Sequence, residues 1–141
     1  MVRYIKIFLL LIFVLIWYSS ASAQGMLFTR EVANQKFGPV LKSIDLPVNT
    51  LLSFTNQTGN QIMFRIQDNQ VVILDERRNV LYPAGMQVNS QDVFSVSIIN
   101  ELLSNGSGVL VSIEQREDVL SISYGQLTME DGALCPPFCS N

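Results

Sequence analysis

Short runs in which apolar and polar residues alternate constrain this chain most. The run QIMFRIQ (61–67) places Ile62, Phe64 and Ile66 on one face and mostly polar side chains on the other. A two-residue period is the pattern of a strand with one buried face. The runs GVLVSIEQ and DVLSISYG repeat the pattern further along the chain. The chain is therefore predicted to be rich in β-structure.

Two hairpins are predicted from these runs. Asp68 and Asn69 separate QIMFRIQ from the apolar run QVVILDE, and both residue types tolerate the left-handed backbone that a two-residue hairpin loop needs. The charged turn QRED (115–118) joins GVLVSIEQ to DVLSISYG. The inward-facing residues of this second hairpin are predicted to be Val109, Val111, Ile113, Leu120, Ile122 and Tyr124.

About seven to nine short strands, separated by turns every 8–12 residues or so, indicate an all-β fold, a small antiparallel β-sandwich or barrel. We expect a signal peptide at residues 1–23, an N-terminal arm or first strand at 24–45, the β-domain at 46–132 and a tail at 133–141. The predicted core includes Phe64, Ile66, Val96, Val111 and Ile122.

The segment DVFSVSIINELLSNGSG (92–108) fits two structures. Its first apolar residues alternate with serines, and its β-branched residues favour a strand from Val93 to about Asn100. Ser90 as a helix cap and Asn105-Gly106 as a terminator would instead fit a helix. The strand is the preferred prediction.

The N-terminus predicts export. A basic start (Arg3, Lys6), an apolar stretch from Ile7 to Tyr18 and the sequence Ala21-Ser22-Ala23 have the layout of a cleaved secretory signal. An uncleaved anchor would need about 20 apolar residues, and this stretch is shorter. We therefore expect a secreted or periplasmic protein that has no membrane span once the signal is removed.

The charge of the mature chain disfavours two classes of partner. Loss of Arg3 and Lys6 lowers the count of basic residues from 9 to seven, against 12 acidic residues, so the net charge becomes about −5. Such a surface repels phosphate backbones and anionic lipids. No nucleic-acid partner is expected.

Histidine is absent from the whole sequence, which removes the familiar triads and the histidine-containing metal sites. The carboxylate pairs Asp75-Glu76, Glu117-Asp118 and Glu130-Asp131 fall where predicted strands end, which is where solvated charges normally lie. A calcium site at MEDG (129–132) lacks the spaced acidic ligands of a known loop. The chain is predicted to be no enzyme and to hold no cofactor or metal.

Cys135 and Cys139 flank Pro136, Pro137 and Phe138 at the C-terminus. In an exported protein with no third cysteine, they are predicted to form a disulfide with each other. Binding of Cu(I) by the two thiolates with Met129, or thiol–disulfide exchange, are the alternatives. The ring would hold Phe138 either as a lid on the core, which we prefer, or as an exposed interaction residue.

The function predicted from sequence is binding without catalysis. The domain is expected to bind a protein or glycan partner in the cell envelope or outside the cell, as a component of a surface assembly or as a carbohydrate-binding module. The many amides of the mature chain, such as Gln57, Asn60 and Gln61, suit such binding but equally suit a solvated sheet face. The alternative is a periplasmic metal-binding or thiol-redox protein acting through Cys135 and Cys139.

Overall fold

The computed structural model describes residues 25–130 and, through their backbone, residues 133–135. The helices are α1 (Arg30–Phe37), α2 (Val48–Thr55) and α3 (Val96–Asn105). The strands are β1 (Met26–Thr29), β2 (Lys42–Pro47), β3 (Gln61–Gln67), β4 (Gln70–Asp75), β5 (Val80–Tyr82), β6 (Gln91–Ser95), β7 (Leu110–Gln115), β8 (Leu120–Tyr124), β9 (Leu127–Glu130) and β10 (Ala133–Cys135).

The strands form two antiparallel sheets. Sheet A has the order β1-β9-β8-β7-β2, and sheet B has the order β10-β6-β3-β4-β5. The prediction of a mostly β structure is confirmed, although helices account for 25% of the residues against 43% in strands. Neither sheet closes into a barrel within the described residues.

Both predicted hairpins are present. Asp68 and Asn69 have φ angles of 50° and 63°, the left-handed conformation expected for the loop between β3 and β4. Strands β7 and β8 pair in the register Gln115↔Leu120, so their connection spans residues 116–119. Local turn chemistry was therefore enough to locate both hairpins.

The segment 92–108 is part strand and part helix. Strand β6 ends at Ser95, and α3 runs from Val96 to Asn105, so the prediction of a strand up to Asn100 is wrong beyond Ser95. Ser95, not Ser90, occupies the N-cap position. Ile99 and Leu102, three residues apart, are the buried residues of α3. Helical spacing of apolar residues thus prevails over the β-branched content of the segment.

One hydrophobic cluster receives side chains from the inner faces of both sheets and from α2 and α3. Phe64, Val111 and Ile122 are fully buried in it, and Ile66 and Val96 are partly buried against it, so the predicted core is confirmed. Val109 is the exception, with 79% of its surface exposed. It lies just before β7, where the chain leaves the sheet, and its predicted inward position is wrong.

The outer faces of the two sheets differ in polarity. On sheet B, the buried residues Met63, Val72, Leu74 and Val93 form a second apolar cluster, against which Met86 and Val88 pack. On sheet A, the buried residues of the outer face are polar or charged: Glu114, Ser121, Ser123, Thr128 and Glu130. The burial of polar and charged side chains on sheet A therefore needs a physical explanation.

Candidate functional site

A buried charge cluster, defined by Arg30, Glu114, Arg116 and Glu130, lies between sheet A and α1. The strand register places Glu114 in this cluster. Glu114 pairs with Ser121 across β7 and β8, on the face opposite the core residues Ile113 and Ile122. Helix α1 packs against β1 and β9. Thr29 begins this helix by accepting a hydrogen bond from the Val32 N–H at 3.3 Å.

Arg116 is the centre of the cluster, and only 1% of its side chain is exposed. Its Nε lies 2.7 Å from Oε1 of Glu130, and its Nη2 lies 3.5 Å from Oε2 of Glu114. Its Nη1 donates to Oδ1 of Asn34 at 2.8 Å and to the carbonyl of Gly38. A guanidinium carries five donors in a fixed plane, so one side chain joins two carboxylates of the sheet to the C-terminal end of α1.

Glu114 has four polar partners, namely Arg30, Arg116 and the hydroxyls of Ser121 and Ser123. Arg30 of α1 places Nη2 3.0 Å from Oε1, while Ser123 donates its hydroxyl to Oε2 at 2.7 Å. The Ser123 hydroxyl also lies 2.8 Å from that of Thr128. Two arginines therefore balance two glutamates, which is how buried charges are tolerated in proteins.

The cluster corrects one sequence prediction, because Glu130 is fully buried rather than solvated at a strand end. Arg116, which the sequence placed in a charged turn, is buried as well. Both are covered because α1 lies over the polar face of sheet A. The serines of DVLSISYG, small polar residues opposite an acidic strand, were the available signal. Without the position of α1, that signal does not distinguish a buried face from a solvated one.

The cluster cannot act on a substrate in this state. Glu114 and Glu130 are inaccessible to solvent, and both contact Arg116. A general acid or base has to come within hydrogen-bond reach of a reacting group. The ion pairs and hydrogen bonds of the cluster instead hold α1 against sheet A.

A second polar site, the tip pocket, lies on the surface where the loop after α2 meets the β4–β5 connection. The cavity has a volume of about 220 Å³. Its lining consists of Gln57, Thr58, Gly59, Asp75, Glu76, Arg77 and Asn79. The pair Asp75-Glu76 does lie where a strand ends, as predicted, but the sequence did not reveal the cavity that the pair helps to form.

Hydrogen bonds shape the β4–β5 connection. Oδ1 of Asp75 accepts from the N–H groups of Arg77 and Asn79 at 2.9 and 2.8 Å, and Oδ2 accepts from the Asn79 side chain at 2.8 Å. Partial desolvation raises the pKa of Asp75, but the hydrogen bonds from Asn79 and Arg77 together outweigh it, and the pKa lies below its ordinary value. Asp75 is thus a stable carboxylate.

Glu76 joins the two walls of the pocket. Its backbone N–H donates to the Thr58 hydroxyl at 3.0 Å, and its Oε2 accepts from the Asn60 N–H at 3.0 Å. A Cβ placed on Gly59 would overlap the Glu76 carboxylate, so any other residue at position 59 would displace this side chain from its present position. The pocket is therefore closed by a carboxylate packed directly over backbone.

An aromatic pair lies beside the tip pocket along the chain. Phe54 of α2 packs against Tyr82 of β5 with ring centroids 5.9 Å apart, and Tyr82 is 42% exposed. The Gln57 N–H bonds the Phe54 carbonyl at 3.0 Å, which connects this pair to the pocket wall. Sequence reasoning did not single out either ring.

The C-terminal predictions fall largely outside the described residues. Cys135 ends strand β10, while Phe138 and Cys139 lie beyond the described range, so the disulfide and the position of Phe138 stay predictions. Met129, considered as a soft metal ligand, is fully buried in the hydrophobic cluster. Among residues 25–130, Glu117 and Asp118 are exposed as expected.

The described residues contain no group of three or more acidic, cysteine or histidine side chains that could hold a metal ion. None of their helices is long and apolar enough to cross a membrane. Comparisons with protein-family models, curated proteins and solved structures found no match to this chain.

Proposed function

We propose that this protein is a secreted or periplasmic, non-catalytic β-domain that binds another macromolecule, a protein or a glycan, through the tip pocket. The N-terminal sequence supports export, since Arg3, Lys6 and the Ala21-Ser22-Ala23 junction fit a cleaved signal. Residues 1–23 lie outside the described part of the chain, so this support comes from the sequence alone. The binding part depends on the pocket.

The observation that carries the proposal is a preformed polar cavity on the surface. Its walls are held by hydrogen bonds of Asp75 and Glu76 to backbone N–H groups. Binding residues are commonly carried on loops that a rigid scaffold positions. Here the scaffold is the pair of sheets with a shared hydrophobic cluster, and we infer that they form the sandwich expected from the strand pattern.

The carboxylates favour binding over catalysis. A general acid needs a pKa near the working pH, whereas the pKa of Asp75 lies below its ordinary value. Glu114 and Glu130 are buried against Arg116 and out of reach of a substrate. The tip pocket thus offers polar contacts, and its Asp75 is a poor proton donor at neutral pH.

The test is a capture experiment with the purified protein and the envelope fraction of the source cells. Arg77→Ala and Gln57→Ala remove side chains that line the pocket, while Gln126→Ala removes an exposed amide in the β8–β9 turn of sheet A as a control. We expect a defined species to be retained by the native protein and the control, and to be lost from both pocket variants. Equal retention by all four proteins would contradict the proposal.

A further inference from the structure

We infer that the ligand of the tip pocket is a neutral sugar at the end of a glycan, with Tyr82 contacting the next sugar unit. The inference rests on the proposed function and names its ligand class. The size and polarity of the cavity limit what it can hold. At about 220 Å³ the cavity is smaller than the roughly 300–1,000 Å³ pockets that take drug-sized molecules. Its lining contains no apolar side chain, so the occupant is small and hydrophilic.

The pocket offers both hydrogen-bond acceptors and a donor. The side-chain carbonyls of Gln57 and Asn79 and the Oε1 atom of Glu76 have no hydrogen-bond partner within the described part of the chain. Arg77 adds an exposed guanidinium. A hydroxyl both donates and accepts, so several hydroxyls on one ring match this mixture.

Charge argues against an anionic occupant. Asp75 and Glu76 place two carboxylates in the lining against the single guanidinium of Arg77. A phosphate or sulfate would meet net repulsion there. Metal binding is disfavoured as well, since both oxygens of Asp75 already accept hydrogen bonds from N–H groups.

The cavity is organised before a ligand arrives. Glu76 is fixed between Thr58 and Asn60, and Gly59 allows its carboxylate to lie directly on the backbone. Weakly interacting ligands such as single sugars gain most from such a site, because little conformational entropy is lost on binding.

Tyr82 supplies the second contact. Tyr82 is three positions after Asn79 in the chain, so their Cα atoms lie at most about 10 Å apart. Tyr82 is not among the residues that line the cavity, and we assign its ring to the sugar unit next to the one in the cavity. Contact with Phe54 at 5.9 Å fixes the ring, and its 42% exposure leaves a face for the apolar C–H side of a sugar.

The experiment is an NMR titration of the purified protein that follows the amide signals of Gln57, Thr58, Glu76 and Asn79. The probes are the methyl glycosides of glucose, galactose and N-acetylglucosamine, and the disaccharides that contain them. We expect at least one glycoside to shift these signals saturably, with a dissociation constant in the millimolar range. The Gln57→Ala variant should weaken this binding about tenfold, and Gln126→Ala should leave it unchanged.

Tyr82→Ala separates the two subsites. We expect it to weaken disaccharide binding about tenfold and to leave monosaccharide binding unchanged, with Tyr82→Phe restoring the disaccharide affinity because the ring is retained. The undisturbed amide signals of each variant show that it is folded. Equal loss of both affinities, or no loss, would overturn the role given to Tyr82.

Two further probes, Nα-acetyl-lysine amide and inorganic phosphate, test the competing ligand classes. Pocket shifts with either of these and with none of the sugars would overturn the inference. If no sugar binds while envelope capture still depends on Gln57 and Arg77, the ligand class is wrong and the proposed function stands. If capture fails as well, the proposed function is wrong.

Discussion

The buried charge cluster and the tip pocket are built from the same kinds of side chain and differ in access. Each contains two carboxylates and at least one arginine. In the cluster the guanidinium of Arg116 lies between Glu114 and Glu130 with 1% of its surface exposed, whereas Arg77 at the pocket is exposed. Composition alone therefore does not distinguish a structural ion-pair cluster from a binding site.

The difference lies in what satisfies the carboxylates. In the cluster the carboxylates are neutralised by arginines from α1 and the β7–β8 turn, so removing Arg116 leaves a buried charge. In the pocket the partners are mainly backbone N–H groups of the same loops, and water or a ligand can reach the other lone pairs. Variants at the buried charge cluster should therefore lose more stability than variants at the tip pocket.

The largest effect is expected at Arg116. Arg116→Ala should lower the free energy of unfolding by about 3–5 kcal/mol, because Glu114 and Glu130 would stay buried without their shared counter-charge. Urea denaturation followed by circular dichroism measures the change. A loss below about 1 kcal/mol would show that the cluster is hydrated and that the contrast with the pocket is wrong.

Asp92, on the inner face of sheet B, is expected to show an effect on stability between those of Arg116 and Asp75. It pairs across the strands with Phe64, a core residue. Burial raises the pKa of Asp92 from 3.8 to about 6, although the charge of Arg65 acts in the opposite direction. Because the folded state holds the proton more tightly, stability should fall as pH rises from about 4 to about 6 and stay level above that.

Asp92→Asn removes this titration. Each pKa unit corresponds to about 1.4 kcal/mol, so after allowance for partial exposure the variant should be about 1–2 kcal/mol more stable than the native protein at pH 7. At pH 3 the two should be equal. Urea titrations at both pH values test this, and a variant less stable at pH 7 would show that the Asp92 carboxylate has a stabilising partner.

A smaller effect is expected at Asp75, whose hydrogen bonds organise the pocket loop. Asp75→Ala should cost about 0.5–1.5 kcal/mol, since the N–H groups of Arg77 and Asn79 lose a charged acceptor but can turn to water. The lowered pKa of Asp75 means that its contribution is present above pH 3.8 and is lost as the pH falls further. An unchanged stability at pH 7 would show that the loop is held by other contacts.

The smallest effect on stability is expected at Arg77, the matched arginine of the pocket. Arg77→Ala should change the free energy of unfolding by less than about 0.5 kcal/mol, because its side chain is exposed. Comparison of Arg77→Ala with Arg116→Ala in the same urea series measures how burial changes the contribution of an arginine to the free energy of unfolding. A large loss at Arg77 would remove the distinction between the two sites.

The sequence alone determined the features that depend on neighbouring residues. Asp68 and Asn69 specify their turn through backbone preferences, and the alternation in QIMFRIQ specifies a strand and the side chains that share its apolar face. The alternation in GVLVSIEQ and DVLSISYG does the same for Val111 and Ile122, since a strand side chain points to one of only two faces. These features need no knowledge of distant elements.

Only the tertiary structure decided what covers each face. Glu130 and Arg116 are buried because α1 crosses the outer face of sheet A. Arg116 contacts Asn34 and Gly38 there, which lie 82 and 78 positions away in the sequence. The tip pocket likewise forms where Thr58 and Glu76, 18 positions apart, meet through a hydrogen bond. Alternation assigns a side chain to a face, but burial of that face depends on long-range packing, which a local pattern does not encode.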